Sequence, residues 1–186
     1  MKSGVRALGI AESFREDRST LAGVVTRASR VVDGVAFSTC TVGGTDATDA
    51  VRSLVDDLGR EDVRYVLVSG IAPAWFNVVD LHRVADHATQ PVLSVTYEDS
   101  EGLEPALREQ FDGDALDERL STYRAQPDRE RVTVNGEPLF VRAVGLDDDP
   151  AAVVDGFTPE GGRPEPLRVA RLAARGADAF RREGSD

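Results

Sequence analysis

Apolar positions near the start of the chain come in runs, without helical spacing. Residues 5–10 (VRALGI), 20–29 (TLAGVVTRAS) and 31–41 (VVDGVAFSTCT) are rich in valine, threonine, alanine and phenylalanine and are parted by polar segments. This pattern predicts three consecutive strands, and the short link between the second and third predicts a tight antiparallel connection. The period then changes. Ala47, Ala50, Val51, Leu54, Val55 and Leu58 follow helical spacing, and Gly59 ends the pattern. Thr45 or Asp46 stands where a side chain can cap the first turn. A strand at 64–69, a helix at 77–88, a strand at 91–96 and a helix at 102–111 then alternate as in parallel βαβ units.

The next stretch, FDGDALDERLSTYRAQ, continues as a helix with Leu116, Leu120 and Tyr123 on one face. Asn135-Gly136 lies between apolar runs, a strong short-range hairpin signal. A short helix is predicted around 150–156, and the segment TPEGGRPEP leads into a last helix with Pro166 in its first turn. A three-strand meander followed by alternating helix and parallel strand is the ribonuclease H-like order. The predicted fold class is therefore α/β, a mixed sheet with a C-terminal hairpin and helix. At 186 residues and 41% hydrophobic content, one domain over 1–186 is expected.

No apolar run approaches the roughly 18 residues of a membrane span, and MKSGVRALGI lacks the pattern of a signal peptide. A cytoplasmic protein without a membrane partner is expected; nothing in the sequence sets its oligomeric state. The net charge is −11, and 21 of the 22 basic residues are arginine, Lys2 being the one lysine. Such a surface suggests adaptation to high internal salt, which screens self-repulsion. Nucleic-acid binders ordinarily carry basic surfaces, but in a salt-adapted chain acidity reports habitat more than partners.

Chemistry has few places to sit. His82 and His87 are five apart on one predicted helix, about 140° around its axis, which excludes a helical zinc pair. Cys40 has no partner cysteine and reads as a buried core thiol. Walker, GxGxxG and CxxC patterns are absent. Carboxylates at strand ends remain: Glu12 after the first strand, Asp46 opening the first helix, and Asp80 beyond the fourth strand. In a ribonuclease H-like nuclease such groups converge on magnesium, which takes hard oxygen ligands. Helix capping is the other account of Asp46.

The runs VVDGVAFSTCTVGGTDATDAV, VSGIAPAWFNVVDLHRV and GRPEPLRVARLAARG resemble the archaeal endonuclease dU family, which is similar to endonuclease V. The resemblance implies a magnesium-dependent nuclease acting on DNA with deaminated bases such as uracil or hypoxanthine, with Asp46 and Glu12 as catalytic and metal-binding residues. The chain departs from the family at two acidic positions. Where the family shows GIDD this chain has Gly9-Ile10-Ala11-Glu12, and where it shows DGI this chain has Ser69-Gly70-Ile71. A step from position 11 to 12 sends a strand side chain to the opposite face. A non-catalytic nucleic-acid-binding protein that kept the cleft and lost the metal is therefore the alternative, and a small-molecule or nucleotide binder using the same cleft a third. Trp75 and Phe76 could stack on an unpaired base or pack inward. Arg163 and Arg168 could hold phosphate, although Arg168 could equally pair with Glu165.

Overall fold

The computed structural model describes residues 1–183. Its sheet begins with β1 (Arg6–Arg15), β2 (Arg18–Arg27) and β3 (Val32–Thr41), an antiparallel meander. Helix α1 (Ala47–Leu58) leads to β4 (Val63–Ser69), which pairs parallel with β1. A single turn, α2 (Pro73–Phe76), and helix α3 (Leu81–Ala88) lead to β5 (Val92–Thr96), parallel to β4. Helices α4 (Glu104–Gln110) and α5 (Gly113–Arg124) precede the hairpin β6 (Glu130–Val134) and β7 (Glu137–Val144), whose second strand pairs antiparallel with β5. The chain closes with α6 (Pro150–Gly156) and α7 (Glu165–Glu183). The order across the sheet is β3-β2-β1-β4-β5-β7-β6.

Strand alternation sorts the core onto two faces. Leu8 and Ile10 of β1 pack with Val51 and Leu54 of α1 and with Val84 of α3, while Ala7 and Ala11 face the other way, Ala11 against Ala170 of α7. The residues turned toward α7 are small for a reason. A Cβ at Gly9 would come within 2.3 Å of the Pro166 backbone, so glycine lets the first turn of α7 rest directly on β1. The PEPL start is thereby seated against the central strand.

Three local expectations are corrected. The first strand runs on past Ile10 to Arg15, because a two-residue link, Glu16-Asp17, pairs it along its whole length with β2. The helix expected at 77–88 begins only at Leu81. Asp80 caps it, accepting from the N–H groups of His82 and Arg83 at 3.0 and 3.2 Å, and Asp80 is thereby engaged away from any cluster with Glu12. Asp46 does occupy the N-cap position of α1, but its carboxylate makes no capping bond. The side chain of Asn77 supplies that function, accepting from Ala47 N–H at 2.8 Å. The Asn135-Gly136 turn has both residues at positive φ, 52° and 83°, the hairpin geometry its sequence announces.

Candidate nucleic-acid interface

At the carboxyl end of the parallel strands, two loops lock together: residues 41–46 after β3 and residues 73–77 around α2. Ala74, Trp75 and Phe76 hold φ values of 49°, 57° and 63°, a left-handed turn built without glycine. L-residues lose roughly 1–2 kcal/mol each in this conformation, so the turn must be held by its surroundings. Glu12 Oε2 accepts from Ala74 N–H at 2.8 Å, and the Ala74 carbonyl accepts from Gly43 N–H at 2.7 Å. The fully buried Asn77 donates to the Thr41 carbonyl and to Asp46 at 2.9 and 2.7 Å, as well as capping α1.

The two candidate carboxylates are thus members of this lock. Glu12 still lies within β1, paired with Leu21, and projects from the face of Leu8 and Ile10, the side on which α1 and Asp46 sit. Ala11 is the residue turned away. Glu12 Oε2 also accepts from the Ser19 hydroxyl at 2.7 Å. Asp46 accepts from Thr41 N–H at 3.0 and 3.1 Å, from the Thr41 hydroxyl at 2.9 Å and from Asn77. Burial would push the Asp46 carboxyl up, but the Thr41 N–H, the Asn77 amide and the Thr41 hydroxyl together hold it below the usual carboxylate range. Cys40 is fully buried beside them. Burial first, and then the Asp46 and Glu12 charges, push its thiol up to about 12, which makes it an inert core residue.

The left-handed turn lifts an aromatic outward. Trp75 is 44% exposed, whereas Phe76 is half-buried. Its ring lies 5.7 Å from Phe76 and 5.2 Å from Phe111, between centroids. Arg119 stacks 4.0 Å over Phe111 and donates to the Gly43 and Gly44 carbonyls, clamping the first loop from behind. Gly43, at φ 69°, is required here twice over, since a Cβ would lie 2.7 Å from the Trp75 ring.

Of the two arginines singled out by sequence, the structure brings only Arg163 to this edge. It lines a cavity beginning at Ser69 and Gly70, at the tips of β4 and β5. Arg168 faces Glu165 instead, in a two-pronged pair at 2.7 Å for each bond. Sequence reasoning missed Asn77, Phe111 and Arg119, and also Arg129, Arg142 and Arg171 of the cavity. Asn77 alone carried a local signal, a polar residue opening an apolar run.

The family model for endonuclease dU matches residues 3–178. The chain belongs to the endonuclease dU family. The UPF0215 protein of Thermococcus kodakarensis is 36% identical over 184 residues, covering 94% of this chain and 92% of its own. A crystal structure from Archaeoglobus fulgidus superposes with a TM-score of 0.81 at 26% identity, over 93% of this chain and 98% of that one. Endonuclease V from Ciona intestinalis, solved with a 24mer DNA containing an inosine followed by a ribo-adenosine, gives 0.61 at 12% identity, over 95% and 87%. That last likeness bears on the fold, which is ribonuclease H-like as its strand order announced.

Does this endonuclease dU chain hold the magnesium that its resemblance implies? Asp46 already accepts three hydrogens, the Thr41 N–H shared between both oxygens and one more on each, and Glu12 Oε2 accepts another two. Among the described residues, only Glu12 Oε1 is left without a protein donor. A cation here would face N–H and O–H hydrogens aimed at the same oxygens. Ser69 adds no charge, and Ala11 points toward α7. Among the described residues, no group of three or more His, Cys, Asp or Glu is placed to share a metal. As arranged, the donor set does not fit a magnesium centre.

Proposed function

We propose that this endonuclease dU protein binds unpaired nucleic acid at the carboxyl edge of its sheet, and that it does so without a magnesium centre of its own. DNA carrying deaminated bases such as uracil or hypoxanthine is the substrate class the family points to. The observation that carries the reading is Trp75, exposed on a left-handed turn whose strain is offset by Glu12, Gly43 and Asn77. Strain of this kind persists where the surrounding structure over-determines it, commonly at sites that hold a ligand. An exposed aromatic face is suited to stack a base, and Ala72, in the same loop, lines the cavity whose arginines suit phosphate.

The test uses uracil-containing single-stranded DNA titrated into the protein at several potassium chloride concentrations, because phosphate contacts weaken with salt while stacking does not. Trp75 fluorescence is expected to be quenched, and Trp75→Ala to weaken binding by about 1–3 kcal/mol, the worth of one base stack. Unchanged affinity in Trp75→Ala would remove the aromatic from the interface.

One observation favours a second reading, metal-dependent cleavage: Glu12 and Asp46 do project from the same side of the sheet. Under that reading Glu12 and Asp46 would give up their bonds to Ala74 N–H and Thr41 to hold magnesium, which would supply positive charge beside the scissile phosphate. Cleavage of the uracil-containing strand that stops in chelator and in Asp46→Asn would establish it.

A further inference from the structure

The cavity beside Ser69 has a volume of about 500 Å3, within the size range of small-ligand sites. Its lining includes Arg129, Arg142, Arg163 and Arg171 against a single carboxylate, Glu98. In a chain of net charge −11, this is a local reversal of sign. Among the described residues, Arg142 and Arg129 are held mainly by neutral partners. Arg142 donates to the Tyr123 hydroxyl at 3.0 Å and to the Pro127 carbonyl. Arg129 donates to the Ser100 hydroxyl at 3.1 Å and the Glu98 carbonyl at 3.3 Å. Its nearest carboxylate, Asp99, stands 3.9 Å away and is 85% exposed. Arg163 and Arg171 make no ion pair among the described residues, and Arg163 lies 4.4 Å over the Tyr97 ring. Like charges sharing one cavity repel, and among the described residues only Glu98 on the wall and the exposed Asp99 stand against the four of them.

Two further features say which ligand would. The Tyr97 hydroxyl is buried and has no hydrogen-bond partner among the described residues, although Tyr97 lines the cavity. Burial pushes this phenol up to about 12 against the opposing pull of Arg163 and Arg171, so it stays a donor at neutral pH. A buried donor without an acceptor is costly unless a ligand supplies one. Meanwhile the aromatic faces here are covered by cations: Arg163 over Tyr97, Arg142 over Tyr123 and Arg129 over Phe140. Those faces are not open to a base. The cavity offers charge and donors, which are the needs of an oxyanion.

We propose that this cavity is a binding site for a phosphomonoester dianion, carried either by a free nucleotide or by the terminal phosphate of an oligonucleotide. The proposal rests on the cavity alone and stands apart from the Trp75 interface. Calorimetry at one fixed, high potassium chloride concentration, with deoxyuridine, deoxyuridine 5′-monophosphate, and a short uracil-containing strand bearing either a 5′-phosphate or a 5′-hydroxyl, tests it. The monophosphate should bind at least tenfold more tightly than the nucleoside. The double variant Arg163→Gln, Arg171→Gln should lose at least tenfold of that affinity while keeping its circular dichroism spectrum. Glu98→Gln should bind as well as the parent or better.

A phosphorylated strand that outbinds the monophosphate identifies a strand terminus as the ligand, and the reverse identifies a free nucleotide; both support the site. Equal binding of each phosphorylated probe and its unphosphorylated counterpart overturns it, as does parental affinity in the double variant. Trp75 quenching by the hydroxyl strand reports separately on the nucleic-acid reading, so either can fail without the other.

Discussion

Two charged clusters share one end of the sheet, and they are finished in opposite ways. Around Glu12 and Asp46, donors among the described residues engage every carboxylate oxygen except Glu12 Oε1, and the product is a strained turn held still. Around Arg129, Arg142, Arg163 and Arg171, the charges meet carbonyls, hydroxyls and ring faces, with one carboxylate on the cavity wall. Charge that is satisfied internally serves architecture; charge left uncompensated awaits a ligand. The contrast shows why acidic residues at catalytic-looking positions do not by themselves make a metal centre. It also shifts attention from the carboxylates to the arginines.

Mutations on the two sides should behave differently. The largest effect is expected from Ala11→Asp, the change that would restore the family's acidic position. Ala11 is 4% exposed against Val24 and Ala170, so the carboxylate would be buried unpaired. A loss of about 3 kcal/mol or more is expected in urea denaturation, because an uncompensated buried charge costs several kcal/mol. Magnesium should not restore it, and recovery with magnesium would show that the central strand can still contribute a ligand. Asn77→Ala should cost about 2 kcal/mol, since it leaves the buried Ala47 N–H without its partner, worth roughly 1–3 kcal/mol, and removes two part-buried bonds, to the Thr41 carbonyl and to Asp46.

Gly43→Ala should cost about 1–2 kcal/mol from its left-handed backbone alone and shift Trp75 emission, since the new Cβ would meet the ring at 2.7 Å. Acid should act on the same cluster. Asp46 titrates below its unfolded value in the folded protein, so its contribution is complete above the unfolded carboxylate pKa of about 3.9 and is lost as pH falls through the depressed folded value. Trp75 emission followed from pH 6 downward should therefore hold steady until below about pH 3.9; an earlier change would mean that Asp46 is not the anchor. The smallest effect belongs to the other cluster. Arg171→Gln should leave stability within about 0.5 kcal/mol, because Arg171 is exposed and makes no hydrogen bond or ion pair among the described residues. A large loss there would mean that the arginines, too, are architecture.

Much of the fold could be read from the chain because its signals are local. Asn135-Gly136 marks its hairpin, the spacing from Ala47 to Leu58 marks α1, and Arg168 lies three residues from the glutamate it pairs with. The site was less legible, since its decisive features are made by partners distant in sequence. PAWFNVVD contains no glycine to announce a left-handed turn, and the turn exists because Glu12, Gly43 and Asn77 hold it. The arginines of the cavity lie on the loop before β6, on β7, before α7 and within α7, and only the β4-β5-β7 order brings them together. Glu12 was visible as an acid near a strand end. Its use, fixing the Ala74 N–H, was not.

The most direct test of the account compares binding of a uracil-containing single strand in chelator and in excess magnesium, with the strand examined by gel afterward. The account predicts equal affinity, equal quenching of Trp75 and an intact strand in both conditions. Binding that requires magnesium, or a strand cut only in its presence, would contradict it and return Glu12 and Asp46 to the role of metal ligands.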